Sequence, residues 1–376
     1  MNRILKFIIG LVVIVLVVWG GWWVLSGKSP TSVLGSTYKV GFIGPLTGDA
    51  SSIGTVNKAA VEVAVDEVNK AGGVNGKMLE VIYEDGQCDG KTANNAANKL
   101  VNVDKVVAIL GGTCSGETSA FGPMAMQNKI IVMSPSSSAP PLSSLGKYFF
   151  RDYPSDAFQG KFGADYAYNT LGARKVAVVY HISDWGTGIK NVFEQEFKAL
   201  GGQIVDEEGS PQTSKDYRTE LTKVKGLNPD LIYMPTYPDG GTIALQQASQ
   251  LGIKTKILGA DAWDDPKLQK NVSGLGLYLL YTKPVSNPPD SFKQSISAKT
   301  GGNEIPVGTP NAYDNVKILA MAMSQVGTNP DALQQAIRQT KYDGVSGHIE
   351  FDQNGDLTTA SYVVSKIENG SAMEVK

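Results

Sequence analysis

Two histidines and two cysteines among 376 residues leave almost nothing for a metal site or a Cys–His nucleophile. The residues still able to do directed chemistry are hydroxyls, carboxylates and aromatics. After the apolar run ending at Leu110 comes Gly-Gly-Thr113-Cys114-Ser115-Gly-Glu-Thr118, with Ser115 where a helix should open. Free backbone N–H groups and the positive end of the helix dipole suit a carboxylate there. The alternative is a plain N-cap. The run ending at Met133 is followed by Ser134-Pro-Ser136-Ser137-Ser138, either an ordinary loop or a second source of hydroxyls and backbone groups for the same place. Later runs are followed by Asp184-Trp185-Gly186-Thr-Gly188, by Thr236-Tyr237-Pro-Asp239 and by Ala260-Asp261-Ala-Trp263. Trp185 at such a position is packing or a ligand contact. Asp261 is a helix cap or the counter-charge for an ammonium group. An anion-friendly region facing an acidic one fits a zwitterion.

Other chemistry fits less well. Gly186-x-Gly188 hints at a dinucleotide fingerprint, but Asn191 stands where the third glycine belongs. Asp352-Gln-Asn354-Gly355-Asp356 resembles part of a calcium loop without its twelfth-position acid, so Asn354-Gly355 reads as a turn. His181 and His348 lack ligand-type companions and read as surface or packing residues. The 34 basic against 36 acidic side chains argue against a nucleic-acid partner.

These residues need elements to hold them. From Tyr38 onward, short apolar runs alternate with stretches of helical spacing, such as Thr55 to Ala71 with Ala60, Val61, Ala64, Val65 and Val68 on one face. Alternating strands and helices predict an α/β chain of two doubly wound, Rossmann-like lobes, with parallel sheets covered by helices on both faces. Ligands in such sheets bind outside the carboxyl ends of the strands, which is where the residues above fall. Cys88 and Cys114 follow successive strands that should be neighbours. In an exported protein that pair points to a disulfide, against the alternative of two buried thiols.

Export is indicated at the N-terminus. Phe7 to Leu25 carries no charge and would span about 28 Å as a helix, close to one bilayer core. Arg3 and Lys6 precede it, and Trp19, Trp22 and Trp23 sit near its outer end. The run is long for a cleaved signal peptide. Residues 1–28 therefore read as a transmembrane anchor or uncleaved signal, and residues 29–37 as a flexible tether. The rest lies on the extracytoplasmic side of the cell membrane.

Taken in order, the motifs resemble the substrate-binding proteins of branched-chain amino acid ABC transporters, which have the type I periplasmic-binding-protein fold. The motifs are Val40-Gly-Phe-Ile-Gly-Pro-Leu-Thr-Gly48, Asn69-Lys-Ala-Gly-Gly-Val-Asn-Gly-Lys77, Asp85-Gly-Gln-Cys88-Asp, Ala97-Asn-Lys-Leu-Val101, Cys114-Ser115, Ser134-Pro135, Trp185-Gly-x-Gly and Asn354-Gly-Asp356. The resemblance covers Tyr38 to Lys376. It implies that Ser115 and Ser138 hold the ligand's α-carboxylate. The backbone carbonyl of Ser136 and the side chain of Asp261 would receive the α-ammonium. Tyr237 and Trp185 would face the ligand from the second lobe, and Cys88 and Cys114 would be bonded. Three positions depart from the family: Asp261 stands where Glu is common, Ile53 replaces an aromatic, and Trp185 exceeds the usual Tyr. These departures bear on side-chain preference.

The resemblance also implies three crossovers, near Tyr153, Pro284 and Phe351. Lobe 1 is then 38–153 with 285–350, and lobe 2 is 154–284 with 351–376. The implied function is capture of a branched-chain or other small α-amino acid and its delivery to an ABC permease, by a monomer. No cofactor, metal or catalytic step is involved. The alternatives are a binder of amides, urea or aromatic acids, a ligand-sensing receptor domain, and an NAD-dependent enzyme.

Overall fold

The structure, a computed structural model, describes residues 37–302 and 305–375. The apolar run Phe7 to Leu25 lies outside the described residues. Among the described residues no helix is long and apolar enough to cross a membrane.

The first sheet has five strands, β1 (Tyr38–Gly44), β2 (Leu79–Asp85), β3 (Ala108–Gly111), β4 (Ile131–Ser134) and β5 (Phe149–Arg151), in the order β2-β1-β3-β4-β5. All its pairings are parallel, with Val40 opposite Val81 and Phe42 opposite Leu110. Parallel neighbours need crossovers, and helices Ser51–Lys70, Gly90–Lys99 and Ser115–Gln127 supply them. Strands β3, β4 and β5 are buried along their whole length, which is why the runs ending at Leu110 and Met133 read as apolar. Helix Ser51–Lys70 turns Ala60, Val61, Ala64 and Val65 to the sheet.

The second sheet has seven strands. β6 (Lys175–Ile182), β7 (Gln203–Pro211), β8 (Leu231–Tyr233), β9 (Lys256–Gly259) and β10 (Leu279–Pro284) run parallel. After the small β11 (Lys341–Asp343) and β12 (His348–Glu350) hairpin, β13 (Tyr362–Glu368) and β14 (Ser371–Glu374) join antiparallel. The order is β14-β13-β10-β9-β8-β6-β7.

The chain leaves the first sheet after β5 and the second after β10. Helices Asp290–Thr300, Thr309–Val326 and Pro330–Arg338 then bury Phe292, Val316, Leu319 and Leu333 in the same core as Val40 and Phe42. The return to the second sheet follows Leu357, later than the crossover expected near Phe351. Phe351 still packs edge-on against Phe150, 5.3 Å between centroids, and bridges to Leu357. Between them Asn354-Gly355 is a turn: Gly355 has φ +85°, and the Asp352 carboxylate accepts from the N–H groups of Asn354 and Asp356. Each sheet has a core on either face. A fifth apolar cluster belongs to neither: Ala50, Cys88, Cys114, Trp185, Ile189, Tyr237, Ala260 and Ala262 follow strands of both sheets and meet between them.

Candidate ligand cleft between the two sheets

The loop after β3 is the most constrained part of the cleft. Cys88 and Cys114 are bonded, with Cα atoms 5.3 Å apart and 26 positions apart in sequence. The chain-entropy model gives such a loop about 3.5 kcal/mol. Beside the bridge, the fully buried Glu117 carboxylate accepts from the N–H groups of Cys88 and Cys114, each at 3.0 Å. Burial pushes its carboxyl up to about 7, against the pull of those N–H groups. The disulfide and Glu117 together fix the start of helix Ser115–Gln127, and Ser115 with it.

The next loop is held by Arg151. This guanidinium is fully buried and pairs with Asp356 at 2.6 Å. It also donates to the carbonyls of Ser137 and Ala139, at 3.1 and 3.0 Å. The loop thereby keeps Ser136 at the cleft, where its hydroxyl donates to the Thr113 carbonyl. The Ser115 hydroxyl accepts from the Ala139 N–H at 3.1 Å and ties the two loops together.

The second sheet contributes rings and charge. Ser183 caps helix Asp184–Ala199 and so presents Trp185, which packs against Tyr237 with ring centroids 4.8 Å apart and planes tilted by 34°. Tyr237 is set by His181. The buried imidazole accepts from the Tyr237 N–H at 3.1 Å through Nδ1, so Nε2 carries the proton toward the Tyr217 hydroxyl at 2.9 Å. Burial drives the His181 pKa down to about 3. His181 is therefore a buried neutral support for Tyr237, in contrast to a surface residue. The Gly186-x-Gly188 element is explained by packing. A Cβ on Gly186 would lie 2.3 Å from the His181 carbonyl, and one on Gly188 would meet Pro140 of the first sheet's loop at 3.1 Å.

Asp261 lies in the turn after β9, 4% exposed. One oxygen accepts from the Tyr153 hydroxyl at 2.5 Å, and the other, Oδ1, is buried with no hydrogen-bond partner. Burial raises its pKa to about 6, partly offset by the hydrogen bond from Tyr153. Asp156 is likewise buried, accepts from Ser138 at 2.9 Å, and keeps Oδ1 unpartnered. Burial and the neighbouring Asp261 charge hold its carboxyl well above the usual range. A desolvated carboxylate oxygen with no partner is costly unless a cation meets it.

The structure brings Ser115, Ser136, Trp185, Tyr237 and Asp261 to one cavity, together with Ala50, Ile53, Thr113 and Val307. Ser138 does not line it; its hydroxyl faces Asp156. Thr113, with a buried and unpartnered hydroxyl, is a polar group that sequence reading passed over, although it sits two residues before Ser115. Arg151, Asp156 and Tyr153 were also missed, because nothing near them in sequence marks them. The cavity holds about 30 Å³, room for about two waters. The two sides are shut on it: Lys215 pairs with Asp49 at 3.0 Å, and the Asp239 N–H reaches the Asp49 carbonyl at 3.3 Å. Among the described residues no group of three or more His, Cys, Asp or Glu side chains is placed to hold a metal.

A family model described as periplasmic binding protein matches residues 37–372. The leucine-, isoleucine-, valine-, threonine- and alanine-binding protein of Pseudomonas aeruginosa is 27% identical over 345 residues, covering 90% of this chain and 92% of that one. The Leu/Ile/Val-binding protein of Escherichia coli is 27% identical over 351 residues, covering 91% and 94%. Among solved structures, the leucine-binding protein LivK of Thermotoga maritima superposes with a TM-score of 0.84 at 30% identity, covering 90% of this chain and 98% of that one. LivJ of Streptococcus pneumoniae, a branched-chain amino acid transporter substrate-binding protein solved with isoleucine, gives 0.81 at 28% identity, covering 91% and 100%.

Proposed function

This chain belongs to the periplasmic binding protein family, and from that premise we propose that it is the extracytoplasmic substrate-binding protein of an ABC transporter for branched-chain amino acids. It captures the ligand and hands it to a permease; it is not an enzyme. The observation that carries the reading is Asp261, a buried carboxylate with one free oxygen, placed across a small cavity from a helix N-terminus. An α-amino acid matches both ends. Its ammonium meets Asp261 and the Ser136 carbonyl. Its carboxylate meets Ser115 and the first N–H groups of helix Ser115–Gln127, where the dipole favours negative charge. Its side chain lies against Trp185, Tyr237 and Ile53. Ser138 stands behind this shell, its hydroxyl turned to Asp156.

The sheets serve as two lobes. Lobe 1 is the first sheet with the helices of residues 290–338 and the β11–β12 hairpin, and lobe 2 is the second sheet. The three connections after β5, β10 and Leu357 act as the hinge. The uncharged run Phe7 to Leu25 tethers this monomeric receptor to the outer side of the cell membrane.

Isothermal titration with leucine, isoleucine and valine is the direct test. Binding by the intact chain and loss of binding in Asp261→Ala are the expected results. Undiminished affinity in Asp261→Ala removes Asp261 from the ammonium role. Binding of benzoate or urea in place of all three amino acids moves the chain to another branch of the family, since neither brings an ammonium to Asp261.

A further inference from the structure

Asp49 does not line the amino-acid cavity, yet it is bonded to lobe 2 twice. Its carboxylate pairs with Lys215 at 3.0 Å, and its carbonyl accepts from the Asp239 N–H at 3.3 Å. The second bond is a helix cap supplied from across the cleft. Helix Pro238–Gln250 opens on a proline and has no side-chain cap of its own, so a free N–H of its first turn takes the Asp49 carbonyl as partner. Both bonds sit next to the ligand. Ala50 follows Asp49 in the chain, Tyr237 stands two positions before Asp239, and both line the amino-acid cavity.

Each half of this contact is fixed within its own lobe. On the first side, the Asp85 carboxylate at the end of β2 accepts from the N–H groups of Leu46 and Thr47 and from the Thr47 hydroxyl, at 2.9, 3.2 and 2.6 Å. That holds the loop in which Asp49 lies. On the second side, the Gln247 side chain donates to the Lys215 carbonyl at 3.2 Å and accepts from the Tyr217 N–H at 2.7 Å. Gln247 belongs to helix Pro238–Gln250, so the Lys215 loop and the capped helix move as one body. The two partners of the ion pair are unequal. The Lys215 side chain is 61% exposed and that of Asp49 11%, and the second Asp49 oxygen, Oδ2, is buried with no hydrogen-bond partner. Lys267 on the next helix is engaged by the Asp239 carboxylate at 3.1 Å, which leaves the Asp49 carboxylate to Lys215.

We propose that Asp49 is the latch of the cleft: its pair with Lys215 and its cap on helix Pro238–Gln250 form only when the lobes are shut, and they set how long the amino acid stays. The proposal rests on the reading of the protein as a two-lobed amino-acid receptor that opens on a hinge. Because both halves are fixed in their own lobes, parting the lobes breaks both bonds at once. Bonds made in the shut state alone slow escape and leave the encounter with the open cleft as it was. The exposure of Lys215 keeps the effect of the pair to a few-fold. The burial of Asp49 makes the two removals unequal. Without Lys215 the shut cleft encloses an unpaired carboxylate, whereas without the Asp49 carboxylate an exposed lysine returns to water.

Stopped-flow tryptophan fluorescence with leucine, on the full 376-residue chain, separates the two rates. Lys215→Met should raise the dissociation rate about fivefold and leave the association rate within about twofold. Asp49→Ala should raise the dissociation rate less, and adding Asp49→Ala to Lys215→Met should recover part of the loss. Raising the salt should speed dissociation from the wild type and leave Asp49→Ala unmoved. A second readout needs no ligand: hydrogen exchange in the peptide spanning Tyr237 to Gly241 should be faster in Lys215→Met than in the wild type. Equal dissociation rates in all four proteins overturn the latch. So do additive losses in the double variant, or a peptide that exchanges alike with and without Lys215. A wild type that ignores every amino acid, but whose peptide loses protection in Lys215→Met, sinks the amino-acid reading and leaves the latch standing.

Discussion

The two sides of the cleft are built from different chemistry. The first sheet offers small residues and backbone: Thr113, Ser115 and Ser136, at loops held by a disulfide, by buried Glu117 and by buried Arg151. The second offers bulk and charge: Trp185, Tyr237 and Asp261, standing on a capped helix, a buried imidazole and a short turn. These tethers hold the first side rigid, as the proposed grip on a carboxylate requires, since backbone donors serve an anion only when the loop holds its shape. The second gives an apolar surface for a side chain and one carboxylate with a free oxygen. A zwitterion with an apolar body needs both, and neither sheet alone carries both ends of it.

The contrast is broken most directly at Asp261. Replacing it with alanine removes one partner of a buried charge pair, at a cost of about 2–5 kcal/mol in binding, roughly 30-fold or more in Kd. Calorimetry with leucine measures it, and Asp261→Asn separates charge from shape. The corresponding break on the first side should act on stability as well. Replacing Cys88 and Cys114 together by serine should cost about 3.5 kcal/mol in denaturant unfolding. It should also weaken leucine binding, since Ser115 would lose half of its support. Unchanged affinity in a folded, bridge-free protein would show that Glu117 alone fixes the loop.

A milder perturbation uses pH. Asp261 has its pKa raised to about 6 by burial, so it is ionised at neutral pH and takes up a proton as the pH falls through 6. The neutral carboxyl no longer matches an ammonium. Leucine affinity should therefore be flat from about pH 7 upward and should fall up to about tenfold per unit below pH 6. A profile flat down to pH 5 contradicts the pairing. The same raised pKa has the opposite sign for the free protein: between pH 4 and 6 the folded state binds the extra proton, so this group's contribution to stability declines as pH rises through that window.

Much of the second side was legible in the sequence because each of its groups follows a strand. Trp185, Tyr237 and Asp261 stand just past apolar runs, and the parallel α/β pattern puts such residues at carboxyl ends. Ser115 and Ser136 were legible for the same reason. Arg151 and Asp356 were not, since 205 residues separate a pair that only the return of the chain brings together. The course of the third connection was not legible for a related reason: it is the contact of Phe351 with Phe150, two hundred residues away in sequence, that holds Phe351 in the first core. His181 was read as unremarkable because imidazole counts as chemistry only beside other ligands, whereas here it works through a backbone N–H.

That last residue gives the smallest expected effect and the finest test of how the second side holds its shape. His181→Ala leaves the Tyr237 N–H and the Tyr217 hydroxyl buried without partners, a loss of about 1–3 kcal/mol in stability. The ring makes no contact with the ligand cavity, so leucine should still bind, a few-fold more weakly, through a less fixed Tyr237. The pH dependence carries the signature. The native imidazole stays neutral down to about pH 3, while the unfolded one titrates near 6.5. The unfolded state therefore binds the extra proton between those values, and the wild type loses stability as pH falls below about 6.5. His181→Ala should flatten that part of the stability curve while leaving the Asp261-dependent fall in affinity below pH 6 in place. If the substitution removes both, the two groups titrate as one unit, and the second side is a single network in place of a ring on a support beside an independent carboxylate.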